Sequence, residues 1–220
     1  MTADNIILIG MPGSGKSSLG RRLARRLGFG FVDSDTVLAE REGRTVAELL
    51  AACTTEDFIK RESAAVRSIQ VRRSVIATGG SVVYCPQAMA HLARQGTIVY
   101  LDVPLRLLRR RVGDLAERGV VSRTGGGLEM IFAERTPLYR RYADIHYRVP
   151  PAGRQEATER LALLLAQKLP QFNLPETSQN GAKSGTIAKR RPANAGQAWR
   201  RRRRRPPGEA GGRHGSETDH

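Results

Sequence analysis

The sequence predicts an α/β fold in which helices flank a five-stranded parallel sheet. Short apolar runs alternate with longer amphipathic stretches through residues 1–170, which is the pattern of strands joined by packing helices. A length of 220 residues with 40% hydrophobic residues is also enough to form one compact domain with an apolar core. The strand-like runs are Ile6–Ile9, Gly30–Val32, Val75–Ala77, Ile98–Leu101 and the weaker Ile145–Val149.

The first connections are helical. Leu19, Leu23 and Leu27 recur at a spacing of four, which predicts a helix over Lys16–Leu27. The pattern stays helical through about residues 34–73, in one stretch around Val46 and a second over Phe58–Val71. This predicts a helical pair inserted beside the sheet.

The second half of the domain contains a helix, a loop and a closing helix. A helix is expected at Leu107–Val112, after the fourth apolar run. Residues 113–127 have no apolar period and several glycines, which predicts a mobile loop that acts as a lid over the strand ends. A last helix closes the domain, with Leu161, Leu164, Leu165 and Leu169 as its buried stripe.

The net charge of +16 is denser toward the C-terminal end. Residues 175–220 hold 11 Lys/Arg against 4 Asp/Glu, including the run Arg200–Arg205, with only Ile187 and Trp199 as large apolar residues. Such a segment buries too little surface to offset its ordering entropy. We therefore expect residues 1–174 to form the domain and residues 175–220 to be a disordered, Arg-rich tail.

Several classes of protein are excluded by composition. No apolar stretch approaches the ~20 residues that span a bilayer, and the N-terminus lacks the basic start of a secretion signal, so we expect a cytoplasmic protein. Cys53 and Cys85 make no disulfide framework, and four scattered histidines make no zinc site.

The most specific motif follows the first strand. Residues 10–17, Gly-Met-Pro-Gly-Ser-Gly-Lys-Ser, match the phosphate-binding loop (P-loop) G-x-x-x-x-G-K-[ST]. Gly13, Ser14, Gly15 and Ser18 bring backbone N–H groups and a helix N-terminus to a polyphosphate. Lys16 is expected to reach the β and γ phosphates, and Ser17 to ligate Mg²⁺. The sequence therefore predicts a site for a nucleoside triphosphate.

Two carboxylates follow the second strand. Asp33 and Asp35 lie at the carboxyl edge of the predicted sheet, where open α/β sheets bind ligands. One carboxylate can support Mg²⁺ while the other orients an attacking hydroxyl group and accepts its proton. An equally simple alternative is that an Asp caps a helix that starts near Thr36.

Other candidates are glycines and arginines. Gly79 and Gly80 follow the third strand, where bare backbone could approach a substrate, although a tight turn explains them too. At most two of Arg109 to Arg111 can face a nucleotide, because successive helical residues point about 100° apart. Arg118 on the lid and Arg135 after it are candidates for binding phosphate or substrate, with a surface ion pair as the alternative for Arg135.

The order of these motifs resembles the shikimate kinase family, over about residues 5–170. In that family the P-loop is followed by Asp-x-Asp, Phe-Arg-x-x-Glu, Gly-Gly-Gly, a lid Arg and Arg-x-Pro-Leu-Tyr. The resemblance implies a P-loop kinase that uses ATP and Mg²⁺ to phosphorylate a hydroxyl group of shikimate, giving shikimate 3-phosphate in aromatic amino-acid biosynthesis, and we expect a monomer. It also implies residue roles: Asp33 for Mg²⁺, Asp35 for the attacking hydroxyl, Arg135 for the substrate carboxylate, Arg118 for the phosphates and Arg111 for adenine.

Two motifs depart from the family pattern, and both concern the acceptor. Ile59 stands where the family has a second carboxylate-binding Arg, and Ser81 stands where it has the third Gly. An isoleucine cannot replace a bidentate guanidinium. Lys60 or Arg61 could reach in from a neighbouring position, although a shift of one residue turns a helical side chain by about 100°.

Three alternatives remain open from sequence. A gluconate-like sugar-acid kinase fits the altered acceptor motifs. A nucleoside monophosphate kinase shares the P-loop and lid, but Asp33 and Asp35 would repel an anionic acceptor. The arginine run could bind nucleic acid non-specifically through phosphates, as an accessory property or as a solvated extension without a role.

Overall fold

The sheet has five parallel strands in the order β2-β3-β1-β4-β5. In this computed structural model, residues 4–112, 127–151 and 153–170 are described. The strands are β1 (Asn5–Ile9), β2 (Gly30–Asp33), β3 (Ser74–Ala77), β4 (Gly96–Asp102) and β5 (Ile145–Arg148). The predicted fold class is confirmed, and each apolar run forms a strand within two residues of its predicted bounds.

Eight helices surround the sheet in the described ranges. They are α1 (Lys16–Leu27), α2 (Ser34–Glu42), α3 (Val46–Ala52), α4 (Thr55–Ser68), α5 (Pro86–Gln95), α6 (Leu105–Val112), α7 (Leu128–Tyr142) and α8 (Arg154–Lys168), with a 3₁₀ turn at Val82–Tyr84. None of the helices that the structure describes is long and apolar enough to span a membrane.

The strand order explains how deeply each strand is buried. Residues Ile6–Ile9 of β1 have no exposed surface, because neighbouring strands cover both edges of β1 and helices cover both faces. The edge strand β5 instead alternates, with Ile145 and Tyr147 buried and His146 and Arg148 exposed. The central strand therefore carries the P-loop on the most rigid part of the sheet.

The inserted region differs from the prediction in one respect. The sequence predicted a helical pair, whereas three helices, α2, α3 and α4, lie between β2 and β3. The pair did not include α2, which the sequence offered only as the helix of the capping alternative near Thr36, because its nine residues bury only Ser34 and Leu38 and give a weak apolar pattern. The other two helices match the pair, except that α4 ends at Ser68 and not at Val71.

A satellite core holds this region together. Leu38, Leu49, Phe58, Ile59 and Ala65 form an apolar cluster separate from the main core. Because those residues come from α2, α3 and α4, the cluster fixes the three helices as one wall beside the carboxyl ends of the strands.

The predicted C-terminal helix is present as α8. Leu161 and Leu165 are fully buried and Leu164 is half-buried, as its stripe predicts. Two other predicted segments lie outside the described residues: the tail at residues 175–220 and, apart from Gly127, the lid at residues 113–127 with Arg118.

Candidate active site

A cavity of about 700 Å³ opens at the carboxyl ends of the strands. Residues 12–18 of the P-loop line one end of it, and Asp35, Glu62 and Arg135 line the other. Ligands of open α/β sheets bind at this edge, because the loops that follow the strands converge there. The cavity therefore combines a phosphate-binding end and an end with opposite charges.

The P-loop adopts a conformation that only glycine accepts readily. Gly15 has a φ of +96° and immediately precedes α1, so the chain turns sharply and the helix begins at Lys16. The first N–H groups of α1 have no intrahelical partner and face the loop. Ser14 Oγ is buried and has no hydrogen-bond partner within the described residues. An unpaired buried hydroxyl in this loop suits an oxygen-rich ligand such as a phosphate group.

Lys16 lies at the centre of the phosphate end. Its Nζ donates hydrogen bonds to the carbonyl oxygens of Gly10 and Met11, at 2.8 and 3.0 Å. Burial lowers the pKa of Lys16 to about 8, and the nearby carboxylate of Asp35 works in the opposite direction. The ammonium group is thus held in place and only partly solvated, which strengthens its attraction for an anion.

The two aspartates after β2 have different surroundings. Asp33 caps α2, because its carboxylate accepts a hydrogen bond from the backbone N–H of Asp35 at 3.2 Å. The capping alternative is therefore confirmed for Asp33, which is not among the residues that line the cavity. Asp35, two residues further on, lines the cavity, where desolvation of its carboxylate and then the charge of Asp33 raise its pKa.

Glu62 is a site residue that the sequence analysis did not single out. It is 2% exposed, and its Oε2 accepts a hydrogen bond from Ser81 Oγ at 2.7 Å. Burial raises the pKa of Glu62 to about 7; the Ser81 hydroxyl opposes this shift and Asp35 adds to it. One signal was present in the sequence, since Glu62 falls on the same helical face as the buried residues Phe58, Ser63 and Ala65.

Gly79 is confined by these two carboxylates. A Cβ on Gly79 would lie 2.0 Å from Glu62 Oε1 and 2.9 Å from Asp35 Oδ1. Only glycine therefore fits between the carboxylates, and a tight turn alone does not explain it. Gly80 lies beside it, with its own Cβ position 2.9 Å from Arg135 Nη1.

Arg135 is not a surface residue. It lies on α7, is 1% exposed and lines the cavity, so the surface-ion-pair alternative is wrong. Its Nε donates to Tyr84 Oη at 3.1 Å, and its guanidinium lies 4.9 Å from the centre of the Tyr84 ring. Tyr84, on the 3₁₀ turn, is a second site residue that sequence reasoning missed.

Of the other basic candidates, one lines the cavity and three form ion pairs elsewhere. Arg111 lines the cavity, whereas Arg109 pairs with Glu129 on α7 at 2.6 Å. Arg61 forms an ion pair with Glu42, and the exposed Lys60 pairs with Asp57. Neither Lys60 nor Arg61 lines the cavity, so the expectation that one of them could replace the second arginine is wrong.

Ile59 stands on α4 at the position where the family has the second carboxylate-binding arginine. It is 9% exposed and belongs to the satellite core instead of the cavity wall. Three of the described arginines line the cavity, Arg111, Arg135 and Arg154, and Arg135 is the one beside Gly80 and Glu62 at the acceptor end. Phe58 and Val46 supply apolar surface to the same cavity.

Two oxygen-bearing side chains near the phosphate end suit Mg²⁺. The Ser17 hydroxyl lines the phosphate end, and Asp33 ends β2, which β3 separates from the strand that carries the P-loop. Hydroxyl and carboxylate oxygens beside phosphates are the ligands that Mg²⁺ takes, with water completing its shell. No cluster of three or more His, Cys, Asp or Glu suited to a metal occurs in the part of the chain that the structure describes.

The ionisation of Glu62 predicts how stability depends on pH. Its pKa is near 4.5 when unfolded and about 7 when folded, so the folded state binds more protons between these values. Stability is therefore greatest below the unfolded pKa and falls as the pH rises to about 7, by about 3 kcal/mol for this group. We expect Glu62→Gln, which cannot ionise, to remove that loss and to melt at a higher temperature than the wild type at pH 8.

The measurement is thermal unfolding of both proteins from pH 5 to 8. Glu56→Gln, at an exposed position on the same helix, is the matched control and should follow the wild type. Parallel curves for the wild type and Glu62→Gln would contradict the assignment of a raised pKa to Glu62.

A P-loop at the end of the central strand, with carboxylates and an arginine across one cavity, defines a P-loop kinase for a small acceptor. Comparisons with known proteins give the family. The family model of shikimate kinase matches residues 12–165. A shikimate kinase of Prochlorococcus marinus is 37% identical over 182 residues, 80% of this chain and 91% of its own length. One of Mycobacterium avium is 38% identical over 146 residues, 65% of this chain and 82% of its own.

Solved structures agree. A shikimate kinase from Acinetobacter baumannii in complex with shikimate has a TM-score of 0.66 and 30% identity, over 76% of this chain and 96% of that one. A sugar kinase from Janibacter has a TM-score of 0.50 but only 14% identity, over 78% of this chain and 98% of that one. It therefore shares only the fold. The chain belongs to the shikimate kinase family. It is accordingly a phosphotransferase that uses ATP and acts on a hydroxyl group.

Proposed function

We propose that this protein transfers the γ-phosphoryl group of ATP to a hydroxyl group of shikimate, forming shikimate 3-phosphate. One observation supports this most directly: Lys16, Asp35 and Arg135 line a single cavity, in a chain of the shikimate kinase family. A phosphate-binding cation, a carboxylate base and a carboxylate-binding guanidinium are what this transfer requires.

Each residue has a proposed task. Residues 13–18 and Arg111 bind the nucleotide, with Lys16 neutralising charge on the transferring phosphoryl group. Asp35 accepts a hydrogen bond from the attacking hydroxyl group and then its proton. Gly79 and Gly80 let the acceptor approach the backbone, and Arg135 binds its carboxylate.

Two further tasks are proposed for groups at the phosphate end. Ser17 and Asp33 would hold Mg²⁺ and its water shell, and the ion would neutralise developing charge on the phosphate oxygens. Arg118, outside the described residues, would bridge the phosphates and act with Lys16 in the transfer.

The test is ADP release by the purified protein with Mg·ATP, with and without shikimate. We expect shikimate-dependent turnover at an ordinary kinase rate of roughly 1 to 100 s⁻¹. Gluconate and other small hydroxy acids are measured in parallel, because Ile59 and Ser81 depart from the family pattern. Turnover with gluconate and none with shikimate would overturn the proposal in favour of a sugar-acid kinase.

The tail gives a separate prediction. We propose that the run Arg200–Arg205 provides at most an accessory, non-specific contact with nucleic acid. Deleting residues 176–220 should leave kcat and KM unchanged and abolish retention on immobilised DNA or RNA at low salt. Retention that survives the deletion, or a change in the kinetic constants, would contradict this division of roles.

A further inference from the structure

The segment that follows β3 connects both charged groups at the acceptor end. Ser81 donates to Glu62, as described above, and Tyr84 contacts Arg135 three residues later. Between them, the carbonyl oxygen of Gly80 accepts a hydrogen bond from Tyr139 Oη at 2.6 Å. Residues 79–84, here the bridging segment, therefore touch the acid and the arginine from one short stretch of backbone.

Tyr84 contacts Arg135 in two ways. The Tyr84 hydroxyl accepts the hydrogen on Arg135 Nε at 3.1 Å, and the ring lies 4.9 Å from the guanidinium carbon. The first contact helps to fix the direction of the guanidinium fork, together with a hydrogen bond between Arg135 and Tyr139, and the second favours its positive charge at that place. With the Nε hydrogen engaged by Tyr84, the Nη edge lies beside Gly80, on the cavity wall.

This arrangement matters because of Ile59. Two guanidinium groups can hold a carboxylate from two sides, so neither has to be oriented accurately by itself. Here Ile59 lies in the satellite core, and neither Lys60 nor Arg61 lines the cavity. A single arginine with a long, flexible side chain loses more entropy on binding unless it is already held in the productive orientation. The site therefore depends on whatever orients Arg135.

We propose that Tyr84 is a positioning residue for the acceptor: its hydroxyl and ring hold Arg135 in the orientation in which one guanidinium binds the acceptor carboxylate. The inference rests on the proposed function, since it assumes a carboxylated acceptor. It also goes beyond it, because it assigns acceptor affinity to a residue that is not among those lining the cavity and is separated from Arg135 by 51 positions.

The first experiment compares Tyr84→Phe with the wild type in steady-state kinetics. The variant keeps the ring and loses the hydroxyl group. We expect KM for the acceptor to rise about tenfold, the loss typical of one hydrogen bond to a charged group, with KM for ATP within twofold. Tyr142→Phe is the matched control, since Tyr142 is a half-buried tyrosine on α7 that packs on the core. An unchanged acceptor KM, or equal rises for ATP and acceptor, would overturn the proposal.

A double-mutant cycle tests whether Tyr84 acts through Arg135. Arg135→Lys keeps the charge but removes the fork that Tyr84 orients. We expect Tyr84→Phe to add less than a twofold change in acceptor KM in that background, because there is no guanidinium left to position. A further tenfold rise in the double variant would mean that Tyr84 acts independently of Arg135, which contradicts the proposal. Melting temperatures identify any variant that fails to fold.

The third measurement requires no acceptor and separates the two proposals. In protein labelled with ¹⁵N-arginine, the Hε proton of buried Arg135 should exchange slowly with water, and Tyr84→Phe should speed that exchange at least tenfold while Tyr142→Phe does not. Unchanged exchange would overturn the role of Tyr84 even if shikimate is the acceptor. Faster exchange with no turnover of shikimate would support the role of Tyr84 and refute the proposed function.

Discussion

Lys16→Ala is expected to reduce turnover by roughly 10³-fold or more, because it removes the positive charge that the site supplies to the transferring phosphoryl group. The ammonium group of Lys16 is buried, anchored to the carbonyl oxygens of Gly10 and Met11, and lies within the electrostatic influence of Asp35. A fixed charge in a poorly solvated place stabilises a transition state more than a flexible surface charge can, since no reorganisation is needed as the charge develops.

The variant should still fold. Burial lowers the pKa of Lys16 to about 8, so the charged form of this side chain is disfavoured by its surroundings and alanine relieves that cost. The measurement is ADP release with saturating Mg·ATP and shikimate, together with thermal unfolding. Arg22→Ala, an exposed position on the same helix, is the control and should keep wild-type rates. Full turnover by a folded Lys16→Ala protein would rule out the assigned role.

Sequence reasoning succeeded where one local rule determined the structure. The central strands were found because a run such as Ile6–Ile9 is apolar at every position, which a strand buried on both faces requires. The bounds of α1 were found because Leu19, Leu23 and Leu27 recur at a spacing of four after the P-loop motif, and the structure has glycines with positive φ, Gly15 and Gly28, at its two ends. The P-loop combines both kinds of signal, and its residues line the cavity as expected.

It failed where the deciding contact joins distant parts of the chain. Tyr84 has ordinary local surroundings in the sequence, and Glu62 stands at the Glu of the Phe-Arg-x-x-Glu motif but was given no role there. Their importance arises from the contact of Tyr84 with Arg135 and from that of Glu62 with Ser81. Asp33 shows a different limit: its type and position suit both a helix cap and a metal ligand, and the hydrogen bond from the backbone N–H of Asp35 shows that it caps α2. A residue type common to two roles cannot be assigned without its partner.

At the acceptor end, an isoleucine in place of an arginine changes which charged groups face the acceptor. With Ile59 in the apolar cluster, the charged groups that line the acceptor end are Asp35 and the buried Glu62 on one side and the buried Arg135 on the other. Ser81, the second departure from the family pattern, supplies a hydrogen bond to Glu62. The two departures are thus structurally related: the position that loses a cation is accompanied by a hydroxyl group that stabilises the buried acid.

Asp35→Asn is the second variant with a very large expected effect. Asparagine keeps the size of the side chain, and α2 keeps its cap because that hydrogen bond uses the backbone N–H of residue 35. The amide cannot accept the proton of the attacking hydroxyl group, so kcat should fall by about 10² to 10⁴ while KM for ATP changes little. Because Asp35 raises the pKa values of both Glu62 and Lys16, both should also shift downward in the variant.

The same substitution at two other aspartates shows whether the effect is specific to Asp35. Asp57→Asn, exposed on α4, should leave the rate unchanged. Asp33→Asn still caps α2, so any loss should appear in the concentration of Mg²⁺ needed for half-maximal rate, and not in the acceptor step. If Asp35→Asn keeps more than about a tenth of the wild-type kcat, proton acceptance by this carboxylate is not required. The hydroxyl group would then be activated by its position between Lys16 and Arg135 or by Glu62, the other carboxylate that lines the cavity.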